Sequence, residues 1–394
     1  MKHLAMTGSL LLMLAAPLQA QAAITFITDA SVTPERLAGL QAAANELQQL
    51  ISFQQDIKVN VTFTNLYCTA SSAVLGSAGP QTAYANFTGA PQTNVWYVSA
   101  QVANYGIASA MDDASHINAQ FNAQLGNTGC LTGHTWYYGA DHNPGSGQVD
   151  FVSTAVHEFM HGLGFISFVS SAGALNGGRI DNYSTFLFDN STGKSWKNMT
   201  DAERAASIIN NGNLVWNGSK TTSMVSLLQA GVTNGRTRMY APTTYASGSS
   251  VGHFDTALLY DNNAHEVMEP IAMRPENRVL AATAFCDMGW DLLQDTDADG
   301  TNDCDDADPL VAPVPDTDGD GYLDNVDAFP SNPAEWLDTD SDGTGNNADH
   351  DDDGDGVPDV VDTEPLNPAV ETEIVLPLNS GYGGATLNES TSVQ

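Results

Sequence analysis

From Ala23 the chain alternates apolar and polar residues in AITFITD, and it then places Leu37, Leu40, Ala44, Leu47 and Ile51 three or four apart in TPERLAGLQAAANELQQLISF. The first spacing predicts a strand and the second a helix with one buried face. IKVNVTF and NVWYVSA read as further strands, and a helix is expected near Asp113 to Leu125. In VDFVSTAVHEFMHGLG, Val152, Val156, Phe159 and Leu163 fall on one helical face. Residues 168–250 are rich in Gly, Asn, Ser and Thr, which predicts a loop-dominated lobe with a helix near Asp201 to Asn210. AATAFCDMGWDLL is the last segment with a packing pattern, so the fold class is α+β, and the pattern ends at Gln294.

Charge sharpens that boundary. Residues 1–290 hold 12 Lys and Arg against 19 Asp and Glu, whereas residues 291–394 hold none against 28, for a net charge of −35. Such a segment repels nucleic acid and anionic membranes, and the partner it asks for is a cation. The opening MKHLAMTGSLLLMLAAPLQAQAA has a basic start, an apolar run and small residues near Ala20 and Ala22, as a cleaved secretory signal does. No later run is long enough to span a membrane. The expected organisation is a signal at 1–22, a globular domain at 23–294, aspartate repeats at 295–365 and a tail at 366–394, in a secreted, extracellular protein. Four cysteines without a C-x-x-C pair favour disulfides in that setting, with Cys68–Cys130 and Cys286–Cys304 the expected pairing.

His157, Glu158 and His161 spell H-E-x-x-H. Histidines four apart on a helix project from one side and can reach one zinc ion, while the glutamate beside them serves as general base for the attacking water. A chance match on an ordinary helix is the alternative. A catalytic zinc site needs a third protein ligand, and the candidates are His253, His265 and, in MTDAERAASIINN, Glu203.

From His157 to Gly164 the pattern H-E-x-x-H-x-x-G resembles the metzincin metalloproteases, in which the chain turns at the glycine and supplies a third histidine three residues later. Ser167 stands there instead. Leishmanolysin-like metzincins carry a long insertion before that histidine and a methionine turn after it, and GSSVGHFD and HEVMEP are similar to those pieces. The resemblance spans roughly residues 24–290, with its specific letters at 157–164 and 247–270. It implies zinc bound by His157, His161 and His253, Glu158 as catalytic base, Gly164 at the turn and Met268 beneath the metal. It further implies a metzincin-like domain with a twisted sheet and an active-site helix, acting as an endopeptidase on protein or peptide substrates. Two features depart from the pattern: the 88 residues between Gly164 and His253, and the lack of a tyrosine just after Met268.

The acidic segment repeats one twelve-residue spacing four times. Positions 1, 3, 5, 9 and 12 are Asp295, Asp297, Asp299, Asp303 and Asp306; Asp316, Asp318, Asp320, Asp324 and Asp327; Asp338, Asp340, Asp342, Asn346 and Asp349; and Asp351, Asp353, Asp355, Asp359 and Asp362. A glycine stands at position 6 each time. Oxygen ligands at alternate positions around a glycine turn are what a calcium loop needs. Position 12 is Asp, and the flanks carry Pro309, Pro330, Pro333 and Pro365 in place of amphipathic helices. The loops therefore resemble thrombospondin type 3 calcium repeats more than EF-hands. They imply an irregular calcium-binding stalk, extended by its own charge without the ion. The reading that competes with a zinc protease is a calcium-dependent extracellular binding or adhesion protein with an inactive protease-like domain. A purely structural zinc is disfavoured, because such sites close all four positions and no fourth ligand is evident.

Overall fold

The computed structural model describes residues 22–260, 263–271, 276–306, 309–310 and 315–369. Residues 1–21 of the expected signal and residues 370–394 of the expected tail lie outside them. The chain divides into two compact units, Met1–Val311 and Ala312–Gln394.

In the first unit, β1 (Ile24–Thr28) leads into α1 (Pro34–Leu50), which starts at the Thr33 cap with Pro34 in its first turn. The next strands are β2 (Ile57–Thr64), β3 (Gly76–Pro80), β4 (Val95–Val98) and β5 (Ile117–Asn122). They are followed by helices α2 (Phe151–Leu163), α3 (Asp201–Ser207) and α4 (Val279–Met288). The main sheet has the order β1-β2-β5-β3. Its first three strands are parallel, and β3 runs antiparallel to β5 along one edge. Helices α1 and α2 pack together, and α2 also lies against β3 and β5. The architecture is α+β, as expected.

The helix expected near Asp113 to Leu125 is instead β5, a central strand. Ile117, Ala119 and Phe121 are buried on alternate residues. Asn118 and Gln120 lie on the other face, where they bond to Asn60 and to Ser77 of the neighbouring strands. Phe121 packs against Phe63, Phe151 and Phe159, so the strand forms part of the floor on which α2 rests.

Both expected disulfides are present, Cys68–Cys130 and Cys286–Cys304. The second ties the first aspartate loop to α4, and Lys220 Nζ donates to the Asp306 carbonyl at 2.6 Å. These links explain why the first unit extends past the change in composition at Gln294. Beyond Leu292 no helix or strand occurs among the described residues. No helix among them is long and apolar enough to cross a membrane.

Candidate metal centre and aspartate loops

Helix α2 begins where the Asp150 side chain accepts the Ser153 amide at 3.1 Å, and it ends at Gly164. Gly164 has φ +125°, a conformation that L side chains rarely adopt. The turn brings the Phe165 carbonyl back to His161, whose Nδ1–H donates to it at 2.7 Å. His157 Nδ1–H donates to the Val267 carbonyl at 2.7 Å, and His253 Nδ1–H to the Ser249 carbonyl at 2.8 Å. Each ring is thereby oriented by a backbone carbonyl and left with a lone pair on Nε2.

Those three Nε2 atoms face one another, 3.1 Å apart for His157 and His253, 3.1 Å for His161 and His253, and 3.2 Å for His157 and His161. With the protons on Nδ1, no hydrogen remains to bridge the nitrogens. Nitrogens that lie about 2.0–2.1 Å from one tetrahedral ion are about 3.3–3.4 Å from each other, close to the separations found, so the donor set fits a zinc ion. Burial also disfavours charge on the rings. It lowers His157, lowers His161 to about 3 with the help of His157, and holds His253 well below its ordinary value with the help of His161 and His157.

The alternative third ligands lie elsewhere. His265 faces Glu269 at 3.3 Å, and Glu203 caps α3 by bonding back to Thr200 while pairing with Lys194. The structure thus brings His253 to the helix histidines and leaves His265 and Glu203 out of the group. Met268 is fully buried, and its carbonyl accepts the Phe254 amide at 2.9 Å. The turn holding Val267 and Met268 therefore orients His157 through one carbonyl and fastens the residue after His253 through the next. Ser167, where a compact metzincin would keep its histidine, turns to Ser184 at 2.7 Å.

Glu158 is buried beside the edge strand. Burial raises its carboxyl to about 8, and the Ala78 amide of β3 opposes that shift. A Cβ on Gly76 would come within 3.0 Å of Glu158 Cγ and 3.2 Å of its Oε1. Glycine at this strand position is what gives the carboxylate its space, a dependence that the H-E-x-x-H letters do not reveal.

A family model described as SPBPB7E8-like matches residues 21–208. The chain is similar to that family over the main sheet and α2, and the match stops before His253. Comparison with curated proteins and with solved structures found no match.

The aspartate loops repeat one bonding pattern. In each, the first aspartate accepts the amide of the position-6 glycine: Asp295 from Gly300, Asp316 from Gly321, Asp338 from Gly343 and Asp351 from Gly356. All four glycines have φ between +94° and +102°. The position-3 aspartate accepts the amide of the position-5 aspartate, and the position-5 aspartate accepts the amide of position 7. Positions 1, 3 and 5 of every loop bring one ligand oxygen each within 4.8 Å of the others. Among the described residues, Oδ2 of Asp297, Asp318, Asp320, Asp353 and Asp355 and Oδ1 of Asp338 and Asp351 are buried without a hydrogen-bond partner. Inward-facing, unpartnered carboxylate oxygens suit a hard cation such as calcium. Desolvation, with the charges of Asp299, Asp306 and Asp295, raises Asp297, and Asp318 is raised likewise beside Asp320, Asp327 and Asp316.

Position 9 makes hydrogen bonds within its own loop. Asp303 accepts the Thr296 amide and hydroxyl, both at 2.7 Å, and Asp324 accepts those of Thr317 at 2.8 and 2.6 Å. Asn346 accepts the Thr339 amide at 3.0 Å and donates to its hydroxyl at 2.8 Å, and Asp359 accepts the Asp352 amide at 3.0 Å. These four residues stand outside the three-carboxylate groups and close each loop onto its second residue. That role explains why an amide serves at position 346. The twelfth residues Asp306, Asp327, Asp349 and Asp362 are not in the three-carboxylate groups, but Asp327 Oδ2 is likewise buried without a hydrogen-bond partner, and the charges of Asp306, Asp327 and Asp349 act on the position-3 carboxylates Asp297, Asp318 and Asp340.

Proposed function

We propose that the chain is a secreted zinc endopeptidase of the metzincin type, in the leishmanolysin-like variant, with calcium-binding aspartate repeats. The observation that carries the reading is the convergence of the His157, His161 and His253 Nε2 atoms beside a buried Glu158. Gly164 at the helix end, the Met268 turn and an antiparallel edge strand above the helix support the same reading. A zinc ion bound there supplies Lewis acidity to the scissile carbonyl and acidifies water.

The chain's own groups supply the remainder. Strand β3 ends the sheet and offers backbone N–H and C=O groups along which an extended peptide can pair. A peptide seated there passes beside Glu158, which accepts the proton of the attacking water and returns it to the departing amine. The cation favours the carboxylate form of Glu158 and counters the effect of burial. The oriented Nδ1–H bonds hold the ligand rings throughout the cycle. In the repeats, calcium would neutralise clustered carboxylates and stiffen a segment that otherwise repels itself.

The test is cleavage of a quenched, unstructured protein substrate by wild type, Glu158→Ala and His253→Ala with zinc and calcium supplied. Wild-type cleavage lost by orders of magnitude in both variants is the expected result. A folded, zinc-loaded wild type that cleaves none of several proteins would refute general endopeptidase activity and favour the calcium-dependent binding protein. Against that second reading stands Glu158, since a site that only binds has no use for a buried base.

A further inference from the structure

Two residues before His253 the backbone adopts a conformation that its side chain opposes. Val251 has φ +74°, and it is the one β-branched residue with positive φ among the described residues. Its branched Cβ crowds the backbone there, so the position is strained and must be held by its surroundings. Both of its backbone groups are held: the amide donates to the Tyr240 carbonyl at 2.7 Å, and the carbonyl accepts the Tyr183 hydroxyl at 2.6 Å. The Tyr240 amide in turn donates to the His253 carbonyl at 2.9 Å.

Tyr183 has a second connection. Its buried ring packs edge-on against Phe165 with centroids 4.9 Å apart, and the Phe165 carbonyl orients His161. Trp216 covers the ring from another side at 5.0 Å. Just before it, Asp181 fixes the chain by accepting the Phe168 amide at 2.9 Å and the Ser184 amide at 2.7 Å. One tyrosine near the start of the long insertion thus touches the support of one helix histidine and grips the strained residue that precedes His253.

We infer that Tyr183 is a positioning residue for the metal centre: its hydroxyl holds Val251 in the left-handed conformation and so sets the direction in which His253 presents Nε2. The inference rests on the zinc reading above. Without the hydroxyl, Val251 relaxes towards ordinary φ values and carries His253 with it. With glycine at 251 there is no such tendency, because glycine occupies positive φ readily.

The experiment is a double-mutant cycle on the full chain, with Tyr183→Phe, Val251→Gly and the two combined. Zinc affinity is read by chelator competition, and ligand geometry by the visible absorption of the cobalt-substituted protein. Phenylalanine keeps the ring packing, and melting of the metal-free proteins checks folding. Tyr183→Phe is expected to weaken zinc binding about tenfold and alter the cobalt spectrum, as loss of a ligand's support does. In the Val251→Gly background the same hydroxyl loss is expected to change affinity less than about threefold. Unchanged affinity in Tyr183→Phe, or an equal loss in both backgrounds, would overturn the inference. If Tyr183→Phe does not fold, Val251→Gly and Val251→Ala decide: glycine should bind zinc more tightly than alanine, which still resists positive φ, and the reverse order would overturn it. A folded wild type that takes up neither zinc nor cobalt would refute the metal reading itself.

Discussion

His157 donates through Nδ1 to the carbonyl of Val267, 110 residues further along the chain, at 2.7 Å. The bond joins the H-E-x-x-H helix to the turn that follows His253, so the geometry of the three-histidine cluster depends on two segments being docked. His265 lies two residues before that carbonyl yet faces Glu269 instead. On the zinc reading, replacing His253 by alanine should lower zinc affinity at least about 100-fold, whereas His265→Ala should change it less than about threefold. Chelator competition on both variants measures this, and a large loss in His265→Ala alone would reassign the ligand.

Gly76→Ala tests the seat of Glu158. The new methyl would stand 3.0 Å from both Glu158 Cγ and Phe121 Cδ1. If Glu158 is the base of the proposed reaction, displacing it is expected to cost about 10²-fold in kcat, while the added methyl costs about 1–3 kcal/mol of stability. Zinc affinity should remain within a few-fold. Steady-state kinetics beside denaturant melts separate the effects, and unchanged kcat would show that Glu158 does not need this space.

In the repeats, Asp318→Asn and Asp324→Asn should behave differently. Asp318 brings an unpartnered oxygen to the three-carboxylate group, whereas Asp324 closes the loop onto Thr317. Calcium titration of the full chain should show one site weakened about tenfold or more by the first change and little affected by the second. Equal losses would return position 9 to the ligand set.

Glu266 supplies a pH test outside the three-histidine cluster. It is buried, bonded by Tyr260, and burial raises its carboxyl to about 8. Between its ordinary pKa and about pH 8 the folded state keeps a proton that the unfolded state has released. Stability should therefore fall as pH rises through that window, by at most about 1.4 kcal/mol per unit. Glu266→Gln removes the ionisation and should exceed wild type in stability at pH 8 while matching it near pH 4. Denaturant melts at both values check this, and parallel pH profiles would refute it.

The strands AITFITD and IKVNVTF, the helix around H-E-x-x-H and the four loops were legible because each pattern is local. INAQFN does not declare itself as a strand in the sequence, because its alternation is short and its polar residues Asn118 and Gln120 bond to neighbouring strands on the sheet's other face. The roles of position 9, Gly76 and the Tyr183–Val251 bond depend on contacts that sequence spacing does not encode. Three candidates for the third ligand were visible in the sequence, and only tertiary structure separates His253 from His265 and Glu203.

The long segment between Gly164 and His253 also orders events in time. His161 and His253 are 92 residues apart, yet their nitrogens lie 3.1 Å from each other. On the zinc reading, a chain emerging from the synthetic or export machinery has only two histidines of the set until the whole intervening lobe has been delivered and folded. On that reading metal capture is a late step, because an incomplete chain cannot assemble the three-histidine cluster.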